Sequence, residues 1–387
     1  MGKLSVIVGG QFGSEAKGAV CAWLVRQNRK KGVSSTVVRV AGPNAGHTAY
    51  DDQGRKWALR QVPVGLVADP DARGVIADGS EVDLPVLLRE VRELDEAGHR
   101  VSERLTVSSR ATLLTDAHRY AESVGLLTER VGSTGKGIGA ARADRVMRRA
   151  ATAELLRRQS AGGAADPVET FLTDSYRDTS DADYETLSTI TWSAGSAVNE
   201  LEERLAASHV MVEGTQGYGL GLHRPEYPQC TSSDARAIDF LAMAGLSPWS
   251  LLVTEFEVWV VVRAYPIRVA GNSGPLRDET SWEELGLPEE LTTVTQKVRR
   301  VGRWDPDLFR AAVRANGMNA VKVAYSMADQ QCPDLAGLHG QAEVDVPWSR
   351  LTPAARDTID QINRRTAGLV RYIGTGPKTQ LWMEDKK

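Results

Sequence analysis

Leu4-Ser5-Val6-Ile7-Val8-Gly9-Gly10-Gln11-Phe12-Gly13-Ser14-Glu15-Ala16-Lys17-Gly18 is the stretch whose reading decides the fold. The run from Leu4 to Val8 has the length and apolar character of a buried strand, and Ala19–Lys30 carries a helical pattern. A strand that feeds a glycine-rich turn and then a helix aims backbone N–H groups and a helix dipole at phosphate. Lys17 adds a point charge for a phosphoryl oxygen. The common phosphate-loop spacing is not met, because Gln11 stands six residues before Lys17, Ala16 replaces the second Gly, and Gly18 follows the Lys. Taken alone, these residues leave two readings open: a phosphate cradle, or a tight turn that opens a sheet.

Outward from that stretch, short β-branched runs bounded by Gly, Pro or Asp predict buried strands at Ser5–Val8, Thr36–Val40, Val75–Ile76, Leu105–Val107, Val210–Glu213, Val258–Ala264, Ala320–Ala324 and Leu369–Ile373. Helical patterns lie between several of them, at Leu84–Ala97, Asp144–Arg158, Asp234–Met243, Asp305–Ala315 and Pro353–Arg365. This alternation predicts an α/β fold with a large, mostly parallel central sheet flanked by helices. With no internal repeat, one domain over 1–387 is expected, carrying a helical insertion over 145–205. Binding loops then belong beyond the carboxyl ends of the strands.

The chain has 387 residues and a formal net charge of −3, so no whole-protein basic field favours nucleic acid. The segment Met1-Gly2-Lys3-Leu4 opens no signal-peptide pattern, and no apolar run reaches membrane-spanning length, so a cytoplasmic protein without a membrane partner is expected. Cys21, Cys230 and Cys332 show neither metal-ligand spacing nor a disulfide framework.

Four further segments could carry chemistry. His47, within Asn44-Ala45-Gly46-His47-Thr48, reads as a surface or capping residue or as a general acid. The segment Val131–Gly139, with Ser133, Thr134 and Lys136, reads as a phosphate wrap or a flexible linker. Ser233 or Asp234 reads first as a helix N-cap. Thr292–Arg300 suits a carboxylate ligand, or is a solvated basic loop.

The order of these motifs resembles adenylosuccinate synthetase along essentially the whole chain. The family's Gly-Gln-Trp-Gly-Asp-Glu-Gly-Lys-Gly loop matches Gly10–Gly18, and its Asn-Ala-Gly-His-Thr is intact at 44–48. Its Leu-His-Leu-Ile-Pro-Ser-Gly strand is similar to Leu59–Gly65, and its Gly-Thr-Thr-Gly-Arg-Gly-Ile-Gly loop to Gly132–Gly139. Glu213–Gly217, Thr231–Ser233 and Thr375–Pro377 match further family segments. The resemblance implies that a nucleoside triphosphate phosphorylates O6 of a 6-oxopurine nucleotide, after which the amino group of L-aspartate displaces phosphate. It implies triphosphate contacts from Gly13, Glu15, Ala16, Lys17, Gly18, Gly46, His47, Thr48, Lys322, Gly374, Thr375, Gly376 and Pro377. Lys17 and His47 match catalytic positions, His47 as the acid at the transferring phosphoryl. Ser14, Asn44, Ser133, Thr134, Gln216 and Thr231 match positions around the substrate nucleotide. Arg148 matches an arginine supplied by the other subunit of a homodimer. Thr295, Lys297 and Arg299 match the aspartate loop, with Lys297 where the family has Arg. Mg²⁺ is implied as well, with Ser14 and the Gly46 carbonyl as its expected protein ligands.

Two departures bear on substrate. Ser14 stands where the family carries the Asp that removes the N1 proton of inosinate, and a smaller group there opens space beside C2. Ala324 and Gly374 replace the Asp and Ser with which the family reads the guanine of GTP. Together they resemble the family's phage branch, which joins dGMP to L-aspartate using ATP or dATP, and the resemblance implies that reaction here.

Overall fold

A computed structural model describes residues 2–40, 42–160, 181–292 and 297–383. Eleven strands are hydrogen-bonded into one sheet: β1 (Lys3–Gly9), β2 (Ser35–Arg39), β3 (Arg73–Ile76), β4 (Leu105–Val107), β5 (Thr191–Trp192), β6 (His209–Glu213), β7 (Glu255–Arg263), β8 (Val321–Ser326), β9 (Gly340–Gln341), β10 (Val370–Gly374) and β11 (Gln380–Trp382). Their order is β9-β11-β10-β8-β7-β1-β6-β2-β3-β4-β5. The α/β fold with a mostly parallel central sheet and flanking helices expected from the sequence is present. By backbone contacts the chain groups into two compact units.

The first unit holds Met1–Val6, Cys21–Thr215 and Ile238–Phe256. Strands β6, β2, β3, β4 and β5 pair parallel in sequence, with Glu213 opposite Arg39 and Val107 opposite Trp192. Every residue of β2, β4 and β6 is buried, as expected of parallel strands covered on both faces. The hairpin His47–Tyr50/Lys56–Leu59 stands apart from this sheet.

The second unit holds Ile7–Val20, Gln216–Ala237 and Glu257–Lys387. Here β7, β8 and β10 pair parallel, β10 pairs antiparallel with β11, and β11 pairs parallel with β9. A small antiparallel sheet joins Ile267–Arg268 and Glu279–Thr280 to Arg300–Gly302. Its helix Pro306–Ala315 starts where the sequence says. The Asp305 side chain accepts from the N–H groups of Asp307 and Leu308, and Pro306 fills the first position, where no N–H is needed.

Three local expectations are corrected. The helix expected over 144–158 is two helices, Ile138–Val146 and Glu154–Ser160. Between them the N–H groups of Leu113 and Ala153 bond the carbonyls of Ala151 and Ala111, so this backbone is tied to its neighbour rather than to a helical turn. The helix expected from Asp234 begins at Ala237, and Asp234 is not its cap. Its carboxylate accepts from His223 N and pairs with His223 Nδ1 (2.6 Å), while Asn316 Oδ1 accepts from the N–H of Ala237. Finally, the insertion expected over 145–205 includes strand β5, whose β-branched and aromatic residues pair with β4. Residues 161–180 of that insertion lie outside the described residues.

Candidate active site

In the second unit β1 ends at Gly9, and the helix Lys17–Lys30 begins with the lysine that the sequence singles out. The turn between them has Gly13, Ser14 and Ala16 in left-handed conformation, with φ of 90°, 57° and 68°. Such conformations persist in non-glycine residues only where surrounding bonds enforce them. Glu15 provides that enforcement. Its fully buried carboxylate accepts from the N–H groups of Gln11 (3.2 Å) and Gly13 (2.8 Å) and from Lys17 Nζ (2.7 Å). A Cβ at Gly9 or Gly217 would lie 2.6 Å from this carboxylate, which is the physical demand for glycine at both positions. Lys17, also buried, gives a second hydrogen bond to the carbonyl of Gln216 (2.5 Å) and keeps a third ammonium hydrogen for a ligand. Glu15, expected among the triphosphate contacts, is thus spent on shaping the loop.

Ser14 is exposed, and its hydroxyl accepts from Arg299 Nη1 at 2.6 Å. Arg299 sits at the foot of the basic loop. There its own N–H bonds the Glu290 carbonyl, and the N–H of Thr292 bonds the Lys297 carbonyl. Burial pulls the Arg299 guanidinium below its ordinary pKa, opposed by the charge of Glu290. Glu290 is clamped by both terminal nitrogens of the fully buried Arg263. Burial pushes its carboxyl up, but the hydrogen bond and charge of Arg263 outweigh this and hold it below the ordinary range. Lys297 is exposed, and Thr295 lies outside the described residues.

Gln216 and Thr231 are half-buried, and Gln216 has φ of 58°. Lys322 on β8 pairs with Glu257 (2.7 Å). Ala324 is fully buried between Val261 of β7 and Tyr372 of β10. A Cβ at Gly374 would stand 3.2 Å from Ser326 Cα, so this glycine reflects a close approach of backbones. Thr375 is buried and donates its hydroxyl to the Leu338 carbonyl, which makes it a support of the turn that carries Gly376 and Pro377.

In the first unit the parallel register sets Arg39 and Glu213 side by side at the carboxyl ends of β2 and β6. Both are buried, and Arg39 Nη1 lies 3.3 Å from Glu213 Oε1. The same carboxylate pairs with His47 Nδ1 and accepts from the N–H of Val64 (3.2 Å). Arg39 also donates to the carbonyls of Ala45 (2.7 Å) and Arg60 (3.2 Å), which fixes the segment carrying half-buried Asn44 and Thr48 and exposed Gly46. His47 is therefore neither a surface residue nor a cap. Burial pushes the Glu213 carboxyl up, while the charges of His47 and Arg39 and the hydrogen bonds from His47 and the Val64 N–H hold it below the ordinary range.

The glycine-rich loop 131–139 behaves otherwise than a simple phosphate wrap. Glu122 turns its carboxylate into it and accepts from the N–H groups of Gly137 and Gly139, each at 2.9 Å. Ser133 Oγ lies 3.4 Å from the same group and accepts from the N–H of Gly135, whereas Thr134 is exposed. The exposed Arg148, with φ of 61°, makes no side-chain hydrogen bond or ion pair among the described residues.

Sequence reasoning passed over Arg39, Glu122, Arg263 and Glu290. The signal for Arg39 and Arg263 was present, as one charge inside an otherwise apolar strand.

Mg²⁺ has few protein ligands to draw on. Among the described residues, no three His, Cys, Asp or Glu side chains gather in a metal-binding group. The Ser14 hydroxyl in the second unit and the exposed backbone at Gly46 in the first are each oxygen donors of the kind that Mg²⁺ accepts beside phosphate oxygens and water.

The profile of the adenylosuccinate synthetase family matches residues 6–330. The adenylosuccinate synthetase of Pyrococcus horikoshii is 32% identical over 379 residues, covering 97% of this chain and 96% of that protein. That of Methanococcus maripaludis is 31% identical with the same coverages. Among solved structures, cyanophage S-2L succinoaminodeoxyadenylate synthetase bound to dGMP and dATP as energy donor aligns with a TM-score of 0.72 and 25% identity. The alignment covers 97% of this chain and 93% of that one. The fully ligated Plasmodium falciparum adenylosuccinate synthetase shares the fold, with a TM-score of 0.75 at 20% identity over 99% of this chain and 100% of that one. The chain belongs to the adenylosuccinate synthetase family, and it is a C–N bond-forming ligase. No helix among the described residues is long and apolar enough to cross a membrane.

Proposed function

We propose that this ligase condenses dGMP with L-aspartate, at the expense of ATP or dATP, to give 2-amino-2′-deoxy-N6-succinyladenylate, ADP or dADP, and phosphate. The observation that carries the reading is the Ser14 hydroxyl, held by Arg299 where the family places a carboxylate. A carboxylate at that corner suits hypoxanthine, whose C2 bears only hydrogen. A short hydroxyl leaves room for the 2-amino group of guanine. A mismatched polar group in such a site costs about 1–3 kcal/mol, enough to decide between the two purines.

Phosphorylation turns O6 into a leaving group, and the aspartate amino group then takes its place at C6. Lys17 offers its remaining hydrogen to a phosphoryl oxygen. With Nδ1 assigned to Glu213, His47 meets the transferring phosphoryl through Nε2 and steadies its spread charge. Gly13, Gly18, Gly46 and Thr48 line the triphosphate, with Lys322 and Gly374–Pro377 toward its base. The absence of a carboxylate at Ala324 removes the acceptor that guanine would need and favours adenine. Asn44, Thr134, Gln216 and Thr231 hold the substrate nucleotide, and Thr295, Lys297 and Arg299 hold aspartate. The exposed and unengaged Arg148 suits a reach into the other subunit of a homodimer. Ser14 and the Gly46 carbonyl would hold Mg²⁺, which would supply positive charge to the triphosphate oxygens.

The likeness to archaeal adenylosuccinate synthetases, at 32% identity, favours a second reading in which IMP is the substrate and GTP the donor. Incubation with dGMP or IMP, crossed with ATP or GTP and followed by chromatography of the succinylated product, separates the two. Product from dGMP with ATP supports the proposal, and product from IMP with GTP alone overturns it. In the first case Ser14→Asp lowers kcat/KM for dGMP about 5- to 150-fold, as a 1–3 kcal/mol penalty requires. An unchanged ratio of dGMP to IMP turnover in that variant removes position 14 from substrate choice.

A further inference from the structure

A separate cavity of about 480 Å³ opens in the first unit, lined by Ser109, Arg110, Arg145, Thr152, Arg157 and Gly195, with Glu154 at its side. None of these residues belongs to the site described above. Ser109 and Arg110 directly follow β4, and Gly195 follows β5. These two strands are parallel neighbours, with Thr106 opposite Thr191 and Val107 opposite Trp192. The cavity thus lies beyond the carboxyl ends of two adjacent parallel strands, the position where open α/β sheets take ligands.

Its charge points to an anion. Three guanidinium groups from three different segments meet one carboxylate, and Glu154 is already claimed by Arg157 through two bonds of 2.6 and 2.8 Å. Arg145 stands in the last turn of its helix and gives a single bond to the backbone carbonyl of Arg110 (2.9 Å). The Arg110 side chain makes no hydrogen bond or ion pair among the described residues, although its backbone is fixed by Ser108 Oγ. Two arginines with donors to spare supply the planar, multiply hydrogen-bonding grip that suits phosphate. The volume lies within the range of small-molecule sites, several times what inorganic phosphate alone needs.

We propose that this cavity binds a phosphate monoester carrying an organic group of sugar or nucleoside size, with Arg110 and Arg145 on the phosphate. The site is distinct from the catalytic nucleotide site, and its occupancy is independent of which purine the enzyme converts.

The test is calorimetric titration of the full chain, pre-saturated with whichever of dGMP or IMP it turns over. Three probes are added separately: inorganic phosphate, ribose 5-phosphate and deoxyadenosine 5′-monophosphate. The expected result is one added site per chain for an organic phosphate, with affinity falling at least tenfold in Arg110→Ala and largely restored in Arg110→Lys. A nucleotide that binds more tightly than ribose 5-phosphate identifies a nucleoside source for the ligand, and equal affinities identify a sugar phosphate. The exposed Arg110 side chain makes no hydrogen bond or ion pair among the described residues, so the variant folds, and an unchanged melting temperature verifies it. Absence of an added site for either organic phosphate overturns the proposal. So does binding that Arg110→Ala leaves unchanged.

Discussion

Replacing Glu213 by glutamine lowers turnover about a hundredfold and destabilises the protein by about 3–5 kcal/mol. The size follows from what that carboxylate balances. Arg39 and His47 are both buried against it, and neither has solvent to fall back on. An amide keeps the shape and can still accept from the N–H of Val64, but it leaves a buried guanidinium without a counter-charge. On the proposed mechanism Glu213 is a positioning residue, since it would act through the imidazole of His47. A merely structural role would lower the fraction of folded enzyme and leave kcat of the folded fraction unchanged, whereas here kcat itself falls while the KM values stay close to those of the parent. Glu213→Asp, which restores the charge on a shorter stem, recovers part of both effects.

Acid stability gives a second check with a defined sign. The folded-state pKa of Glu213 is depressed below the unfolded value of about 4.3. Its ionisation therefore contributes stability in full above that value and loses it as pH falls through the folded pKa. Denaturant melts of the parent and Glu213→Gln should differ most near neutrality and converge below about pH 4. A constant difference down to acid pH would show that the carboxylate is not ionised in the fold. His47→Ala is the companion variant, expected to lose about 10²- to 10⁴-fold in kcat if the imidazole meets the phosphoryl group.

Much of this arrangement could be read from residues alone, and the limits have physical causes. Leu105–Val107 was legible to the residue because a parallel strand buried on both faces selects short apolar and β-branched residues, here Leu-Thr-Val. The start at Pro306 was legible because Asp-Pro is both a cap and a first-turn signal. The split at residues 147–153 was not, since nothing local forbids a helix there, and the bonds that break it come from residues 111–113. The same holds for Asp234. Its cap chemistry is real, but His223 claims the side chain and Asn316 caps instead. At the candidate site, Lys17 and His47 announce themselves through type and glycine-rich context, and Arg299 through a basic, Thr-rich stretch. The residues that hold them do not, because Glu15, Glu213 and Glu290 become partners only through folding. Glu122 is the sharpest case, since it turns a glycine-rich loop with phosphate-binding composition into one whose N–H groups are already occupied.

Glu15→Ala is expected to be as damaging as any change in the second unit, with a loss of about 3–5 kcal/mol and of measurable turnover. The alanine removes the one counter-ion that Lys17, 3% exposed, has among the described residues. It also strips the acceptor from the N–H groups of Gln11 and Gly13, so the left-handed turn at 13–16 loses what enforces it. If the cost is chiefly an uncompensated buried charge, removing that charge as well should relieve it. Glu15→Ala combined with Lys17→Met is then more stable than Glu15→Ala alone, with a coupling energy of about 1–3 kcal/mol in urea melts. On the proposed mechanism the double variant remains inactive, because the ammonium that would meet the phosphoryl oxygen is gone. Simple additivity of the two substitutions would instead mean that Glu15 acts through the turn's N–H groups and not through Lys17. Retention of stability and turnover in Glu15→Ala would mean that the loop holds its shape without this carboxylate.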